Sequence, residues 1–114
     1  RESLMGGMSC GEVSLVPWKI LKESVNICTS IADENVDLTI SMLKNKIFSD
    51  NEIVGGECST PGIISLIACN ENNEIKKNLG LDESSNILII GCEGDADENL
   101  YNKLLSSGNK KISI

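Results

Sequence analysis

The 114-residue sequence contains no histidine, three aromatic residues and no long apolar run. Without histidine, the chain by itself lacks Ser-His-Asp triads, Cys-His dyads and the common histidine-containing zinc sites. The aromatic residues are Trp18, Phe48 and Tyr101, so a core must be built mainly from Ile, Leu and Val, which suits a buried parallel sheet better than a β-sandwich. No apolar run approaches the roughly 20 residues of a membrane span, so we expect no membrane partner.

Basic clusters and paired cysteines are also missing. The net charge is −7, and basic residues come at most in pairs such as Lys76-Lys77 and Lys110-Lys111, which argues against nucleic acid and anionic membranes as partners. The chain has no Cys-x-x-Cys pair and no signal peptide, so reduced thiols in a cytoplasmic protein are the simplest interpretation. A four-cysteine metal site is formally possible, but the spacing does not favour it, and we predict no metal. The five cysteines are Cys10, Cys28, Cys58, Cys69 and Cys92.

Residues 86–95 organise the predicted fold. Four consecutive branched aliphatic residues, 87–90, predict a strand buried on both faces, and Gly91 and Gly94 predict a tight loop at its carboxyl end. A helical apolar pattern follows, and either Asp95 or Asp97 could cap that helix. Strand, glycine turn and helix are typical of a parallel α/β sheet, in which ligands bind at the carboxyl ends of strands.

The rest of the chain fits the same pattern. We expect a structured loop over 1–12 and helices from Ser14 to Val25, from a cap at Asp33 to Ile47, after a cap at Thr60, and over 74–79 ending at Gly80. Segments 27–31 and 52–54 are predicted as short strands, and 109–114 as a frayed end or a terminal strand. The sequence therefore predicts a single α/β domain over 1–114, with three layers and a short parallel sheet.

Two acidic glycine loops, 55–60 and 91–95, occupy equivalent places after predicted strands. Both should lie at the same edge of the sheet, where Glu57, Cys58, Ser59 and Cys92 could face one ligand. The alternative is structural, with glycines making tight turns and acids capping helices. Neither loop has the spacing of a usual phosphate-binding loop. The candidate site residues are Glu57, Cys58, Gly91, Cys92, Glu93, Gly94 and Asp95, and no catalytic residue is assigned.

Several motifs in this order resemble the diaminopropionate ammonia-lyase family. They are the Met-Gly-Gly-Met-Ser-Cys-Gly-Glu stretch at 5–12, the Trp-Lys-Ile-Leu stretch at 18–21, Gly-Glu at 56–57, Gly-Leu-Asp-Glu-Ser-Ser at 80–85, and Glu-Gly-Asp at 93–95 followed by Asp97. The family belongs to the fold-type II pyridoxal phosphate enzymes. The resemblance covers nearly all of this chain but only the C-terminal part of the family's length, and it implies a partial large domain of that fold.

The resemblance also implies roles for the loops. Glu57 matches the acid of the family's Ser-Gly-Glu-Ser-Gly-Ala turn near the cofactor ring, and the Glu-Gly-Asp at 93–95 matches the loop expected to meet the pyridine nitrogen. Gly91 and Cys92 stand where that loop has Ser and Thr, and a thiol is a weak hydrogen-bond partner. The family's Schiff-base lysine, phosphate loop and proposed acid/base aspartate all precede the matched region.

Two hypotheses follow. The first is a C-terminal portion of a diaminopropionate ammonia-lyase-like enzyme, which contributes one wall of a pyridoxal phosphate pocket for a small amino-acid substrate and is catalytically silent alone. The second is a small α/β binding or interaction module without catalytic activity. A fragment of such a domain should expose apolar surface on helices such as 36–47 and on the open edge of its sheet, so we expect a homo-oligomer or a missing N-terminal portion as its partner. The alternative is a monomer whose loop 1–12 folds back over that surface.

Overall fold

A computed structural model describes residues 3–112 of the chain. Five α-helices lie within this range, and short 3₁₀ turns occur at Gly6–Met8, Asp33–Asn35 and Glu57–Ser59. The helices are α1, Leu15–Ser24; α2, Val36–Lys44; α3, Pro61–Glu71; α4, Asn73–Leu79; and α5, Glu98–Lys111. The long connections between α2 and α3 and between α4 and α5 carry the two glycine loops.

The core lies where α2 packs against α5. The apolar stripe of α2 supplies Val36 and Ile40, which are fully buried, and α5 supplies Tyr101 and Leu104. Gly108 brings the two backbones together, because a Cβ at this position would overlap the Asp37 carbonyl. The helix pair therefore depends on a residue without a side chain at its point of closest approach.

Polar contacts also join the ends of α2 and α5. Lys111 forms a 2.6 Å ion pair with Asp37, and Ser107 donates to the same carboxylate at 2.6 Å. Burial alone would raise the pKa of Asp37, but the hydrogen bonds from Lys111 and Ser107 outweigh it and lower that pKa. Asp37 is therefore held in its charged form at the helix interface.

The predicted parallel sheet is wrong for the described part of the chain. Residues 3–112 contain no strand, and the predicted strands at 27–31, 52–54 and 86–90 have no regular secondary structure. A parallel ladder requires neighbouring strands whose N–H and C=O groups face each other. Here 27–31 and 86–90 lie on α3 instead, where Thr29 is hydrogen-bonded to Ser65 at 3.0 Å and Ile89 packs against Gly62. The α/β, three-layer prediction is therefore wrong for residues 3–112, which form helices joined by segments without regular secondary structure.

The segment predicted to be buried on both faces is in fact open to solvent. Leu88 is 86% exposed and Ile90 is 79% exposed. The whole chain has 8528 Å² of accessible surface, whereas a compact monomer of 12.3 kDa would have about 6,100 Å². Four branched aliphatics indicate a buried segment only when the rest of a sheet covers them, and that cover is absent from the described residues.

The expected exposure of the α2 stripe is also wrong. Val36, Ile40 and Leu43 are buried against neighbouring elements, and only Ile47, beyond the end of the helix, is exposed. Helix α1 is exposed instead and has no buried residue. Leu15 and Val16 are each more than 70% exposed in this helix.

Several helix boundaries follow the predicted signals, whereas two caps do not. Asp97 caps α5 by accepting from the Leu100 N–H at 3.0 Å, and Gly80 ends α4 with the left-handed φ of 66°. Asp33 does not cap a helix. It accepts from the Leu4 N–H at 2.7 Å and so fixes the N-terminal segment, where Met5 is buried. Thr60 occupies the predicted N-cap position of α3, directly before Pro61, but its hydroxyl makes no capping hydrogen bond and donates to the Glu57 carbonyl instead.

The C-terminal prediction falls partly outside the described residues. Helix α5 continues to Lys111, so 109–111 of the segment predicted as a frayed end or a strand are helical, Ile112 is the C-cap, and 113–114 lie outside the described residues. Among the helices described, none has the length and apolar character needed to cross a membrane.

Candidate functional site

The two acidic glycine loops contact each other, although the predicted sheet edge that was to hold them is absent from residues 3–112. The Gly56 N–H donates to the Glu93 carbonyl at 3.0 Å, and the Cys58 N–H donates to the Glu93 carboxylate at 3.1 Å. Glu93 therefore joins the loops through both its main chain and its side chain. The contact forms without a sheet, since the loops bind each other directly.

Ser59 is the second link between the loops. Its buried hydroxyl donates to the Glu93 carbonyl at 2.5 Å and accepts from the Glu93 N–H at 2.9 Å. One side chain therefore satisfies both backbone groups of Glu93, as a neighbouring strand would otherwise do. The sequence predicted that Ser59 could face a ligand, but its hydroxyl is already occupied within the protein.

Glycine is required where the loops come closest. A Cβ at Gly56 would overlap the Gly94 carbonyl oxygen and would lie 3.0 Å from the Glu93 Cγ. The φ of Gly56 is −72°, which any residue adopts, so the requirement is for space rather than for backbone conformation. The Gly-Glu dipeptide at 56–57 is therefore explained here by close packing.

Cys58 is buried at the centre of this contact. Its sulfur lies against Gly7, where an added Cβ would come within 3.3 Å. Burial, followed by the nearby Glu93 carboxylate, raises the pKa of the Cys58 thiol to about 11. The thiol therefore remains protonated near neutral pH and is a poor nucleophile. The exposed Cys92 contacts the same residue, because its thiol donates to the Cys58 carbonyl at 3.2 Å.

The structure brings together six of the seven predicted site residues. Asp95 is the exception, because it is exposed and belongs to no part of the loop contact. Its charge instead acts toward Lys44, whose pKa is raised mainly by the hydrogen bond to Glu52 and additionally by Asp95. The six residues in the contact region are Glu57, Cys58, Gly91, Cys92, Glu93 and Gly94.

A cavity of about 670 Å³ opens beside the joined loops. The second loop and Ser59 form its polar end, and its other walls come from the end of α2, the segment after it, and α3. Sequence reasoning did not assign these apolar residues to a site, because helical and strand patterns predicted them as core. Their position in the chain gave no signal that they would line a cavity. They are Leu43, Phe48, Ile53, Val54, Ile63, Leu66, Ile67 and Ile89.

Metal chemistry at the loop contact has limited support. Single ligand atoms of Glu57, Cys58 and Glu93 lie within 4.8 Å of one another. However, the Glu93 carboxylate already accepts from the Cys58 N–H, and the raised pKa of Cys58 opposes the thiolate that a metal would need. Both features oppose metal binding by these three residues.

The cavity does not by itself fit pyridoxal phosphate. Among residues 3–112, its lining contains no lysine to form a Schiff base and no other basic side chain to balance a phosphate. Lys44, at the end of α2, is paired with Glu52 at 2.8 Å, and Lys111 is paired with Asp37. The apolar walls and glycines could lie beside a planar ring, but the groups that hold and activate the cofactor must come from elsewhere.

Comparison with known proteins confirms the resemblance seen in the motifs. The chain is 26% identical to the diaminopropionate ammonia-lyase of Escherichia coli (strain K12) over 114 residues, covering 97% of this chain and 29% of that protein. It is 26% identical over 112 residues to the protein of the same name from Salmonella typhimurium (strain LT2), covering 93% and 27%. The chain thus spans less than a third of the length of these curated relatives. No family model matches the chain, and no solved structure matches it.

Proposed function

We propose that this chain is the C-terminal portion of a diaminopropionate ammonia-lyase-like enzyme and contributes one wall of its pyridoxal phosphate pocket. The observation that carries the proposal is the meeting of the 55–60 and 91–95 loops, which match two of the family's pocket motifs. The similarity to the curated relatives over nearly the whole chain supports the same assignment. The parent reaction would eliminate ammonia from 2,3-diaminopropionate, and hydrolysis of the resulting enamine by water would yield pyruvate and a second ammonia.

The role of this chain in that enzyme is to shape the pocket. Bound pyridoxal phosphate would supply the electron sink for the elimination. Ser59 and Glu93 hold the loops together, and the close approach at Gly56 keeps side chains out of the space between them. Because no lysine lines the cavity, the chain alone would be catalytically silent.

A non-catalytic binding or interaction module is the second candidate. The mainly apolar cavity favours it, because a small charged amino acid and a phosphate ester need polar partners that this lining does not offer. Gly91 and Cys92 also favour the module, since they replace the hydroxyl residues of the family's loop.

The native size of the gene product distinguishes the two candidates. An immunoblot of the source organism with antibodies against this chain should detect a protein about as long as the curated relatives, which also contains the lysine and the phosphate loop. A stable native product of 12.3 kDa from its own promoter would overturn the enzyme proposal and favour the module. Mass spectrometry of the detected band confirms which residues it contains.

A further inference from the structure

The hydroxyl of Tyr101 is a buried polar group without a partner. Tyr101 is only 6% exposed, and its hydroxyl oxygen makes no hydrogen bond within residues 3–112. Such groups are rare in native proteins, because the hydrogen bonds that the hydroxyl gives to water in the unfolded chain are not replaced. Since this chain itself covers the hydroxyl, the partner is expected among side chains that already lie close to it.

Three charged side chains lie close enough to act on Tyr101 electrostatically. Burial raises the pKa of Tyr101 most, the Lys44 charge opposes that rise, and the charges of Asp95 and Glu52 add to it. The hydroxyl needs an acceptor for its proton, and a lysine ammonium has only donors. The acceptor is therefore one of the two carboxylates.

Of these two carboxylates, Asp95 is the one that is free. Glu52 is already bound to Lys44 at 2.8 Å, whereas Asp95 is exposed and has no hydrogen bond or ion pair within residues 3–112. Asp95 lies two residues before Asp97, the N-cap of α5, and Tyr101 follows this cap by about one turn. Side chains of a helix lean toward its N-terminus, so the ring of Tyr101 is directed to the end of α5 at which Asp95 lies.

We propose that Asp95 turns inward and accepts a hydrogen bond from the Tyr101 hydroxyl, which makes Tyr101 a positioning residue for the 91–95 loop. A hydrogen bond to a charged acceptor is stronger than one between neutral groups, so it offsets the cost of taking the carboxylate out of water. The nearby Lys44 ammonium lowers that cost further, because it is of opposite charge.

The hydrogen bond gives the 91–95 loop a second point of attachment. Glu93 is tied to the 55–60 loop through the Ser59 hydroxyl, and Asp95 ties the same loop to the core between α2 and α5. The importance of this attachment for a cofactor pocket rests on the proposed function. The hydrogen bond itself is a property of the 114-residue chain and can be tested without catalysis.

A double-mutant cycle tests the hydrogen bond. Urea unfolding is followed by circular dichroism for the parent chain, Tyr101→Phe, Asp95→Ala and the double variant. Tyr101→Phe removes only the hydroxyl and keeps the buried ring, so it should lower the folding equilibrium constant about tenfold in the parent chain. In the Asp95→Ala background the same change should have at most about a twofold effect, because the acceptor is already gone.

Glu52→Ala is the matched control, because it removes the other carboxylate that acts on the same hydroxyl. In this background Tyr101→Phe should keep its full effect. If the effect disappears with Glu52→Ala instead, Glu52 is the acceptor and the proposal is wrong. Equal stability of Tyr101→Phe and the parent chain, or an equal loss in every background, would also overturn it, since the hydroxyl would then bind neither carboxylate.

The ionisation of Tyr101 gives a second, spectroscopic readout. Tyr101 is the one tyrosine in the chain, so the ultraviolet absorbance of ionised tyrosine reports on this residue alone. An acceptor for the hydroxyl proton favours the protonated form, so Asp95→Ala should lower the pKa of Tyr101, and by more than Glu52→Ala does. A pKa of Tyr101 that Asp95→Ala changes no more than Glu52→Ala does would contradict the proposal. Because neither measurement uses catalysis, such a result would leave the proposed function standing.

Discussion

Replacing Ser59 with alanine tests the link between the loops. The substitution removes the hydroxyl that donates to the Glu93 carbonyl and accepts from the Glu93 N–H. The Glu93 carbonyl still accepts from the Gly56 N–H, whereas the Glu93 N–H loses the hydrogen-bond partner it has in Ser59. With about 1 kcal/mol for each of the two lost hydrogen bonds, we expect a destabilisation of about 2 kcal/mol.

Urea unfolding followed by circular dichroism measures this loss. A change of about 2 kcal/mol corresponds to roughly a 30-fold shift of the folding equilibrium at 25 °C, well above the uncertainty of a midpoint comparison. Ser24→Ala is the matched control, because it removes an exposed hydroxyl that bonds only within α1, and should change stability by less than about 0.5 kcal/mol. If Ser59→Ala also stays below about 0.5 kcal/mol, the hydroxyl does not hold the loops together.

Three further predictions concern the core and its titratable groups. Gly108→Ala should destabilise the chain by about 2 kcal/mol in urea, because its methyl group meets the α2 backbone, whereas Ser106→Ala on the exposed side of α5 should be neutral or slightly stabilising. The pKa of Asp37 is lowered in the folded state, so its charged carboxylate stabilises the fold at neutral pH. This stabilisation is lost as pH falls through that pKa. Asp37→Asn should therefore lose less stability than the parent chain between pH 6 and about pH 3. The raised pKa of Cys58 means that its thiol keeps its proton in the folded state, so the free energy of unfolding should fall as pH rises from 9.0 toward 11. Ellman's reagent at pH 8 should label the exposed Cys10 well before the buried Cys58.

The sequence predicted elements well where the signal was local. The stripe of α2, the left-handed Gly80 and the Asp97 cap all depend on residues within one or two turns, and each occurs in the structure. Asp33 shows the limit of such signals. The same residue type can cap a helix or bind a distant backbone, and here Leu4 supplies the donor.

The sheet could not be predicted correctly, because it depends on what lies beside each segment. The aliphatic run at 87–90 has the composition of a buried strand, but a strand exists only with a paired neighbour. The site was easier to predict in part, since glycine turns and acids marked the two loops that meet at Glu93. Its apolar walls were not predicted, because Phe48 and Ile63 carry no feature that separates a cavity lining from a core.

Borohydride reduction in the presence of pyridoxal phosphate tests the central claim most directly. The purified chain is incubated with the cofactor and 2,3-diaminopropionate, ammonia and pyruvate are measured, and the reduced protein is digested and mapped by mass spectrometry. We predict no release of ammonia above a blank without protein, and only low, scattered labelling of the exposed lysines. A stoichiometric adduct on one lysine, together with ammonia and pyruvate release, would contradict the account of a silent pocket wall.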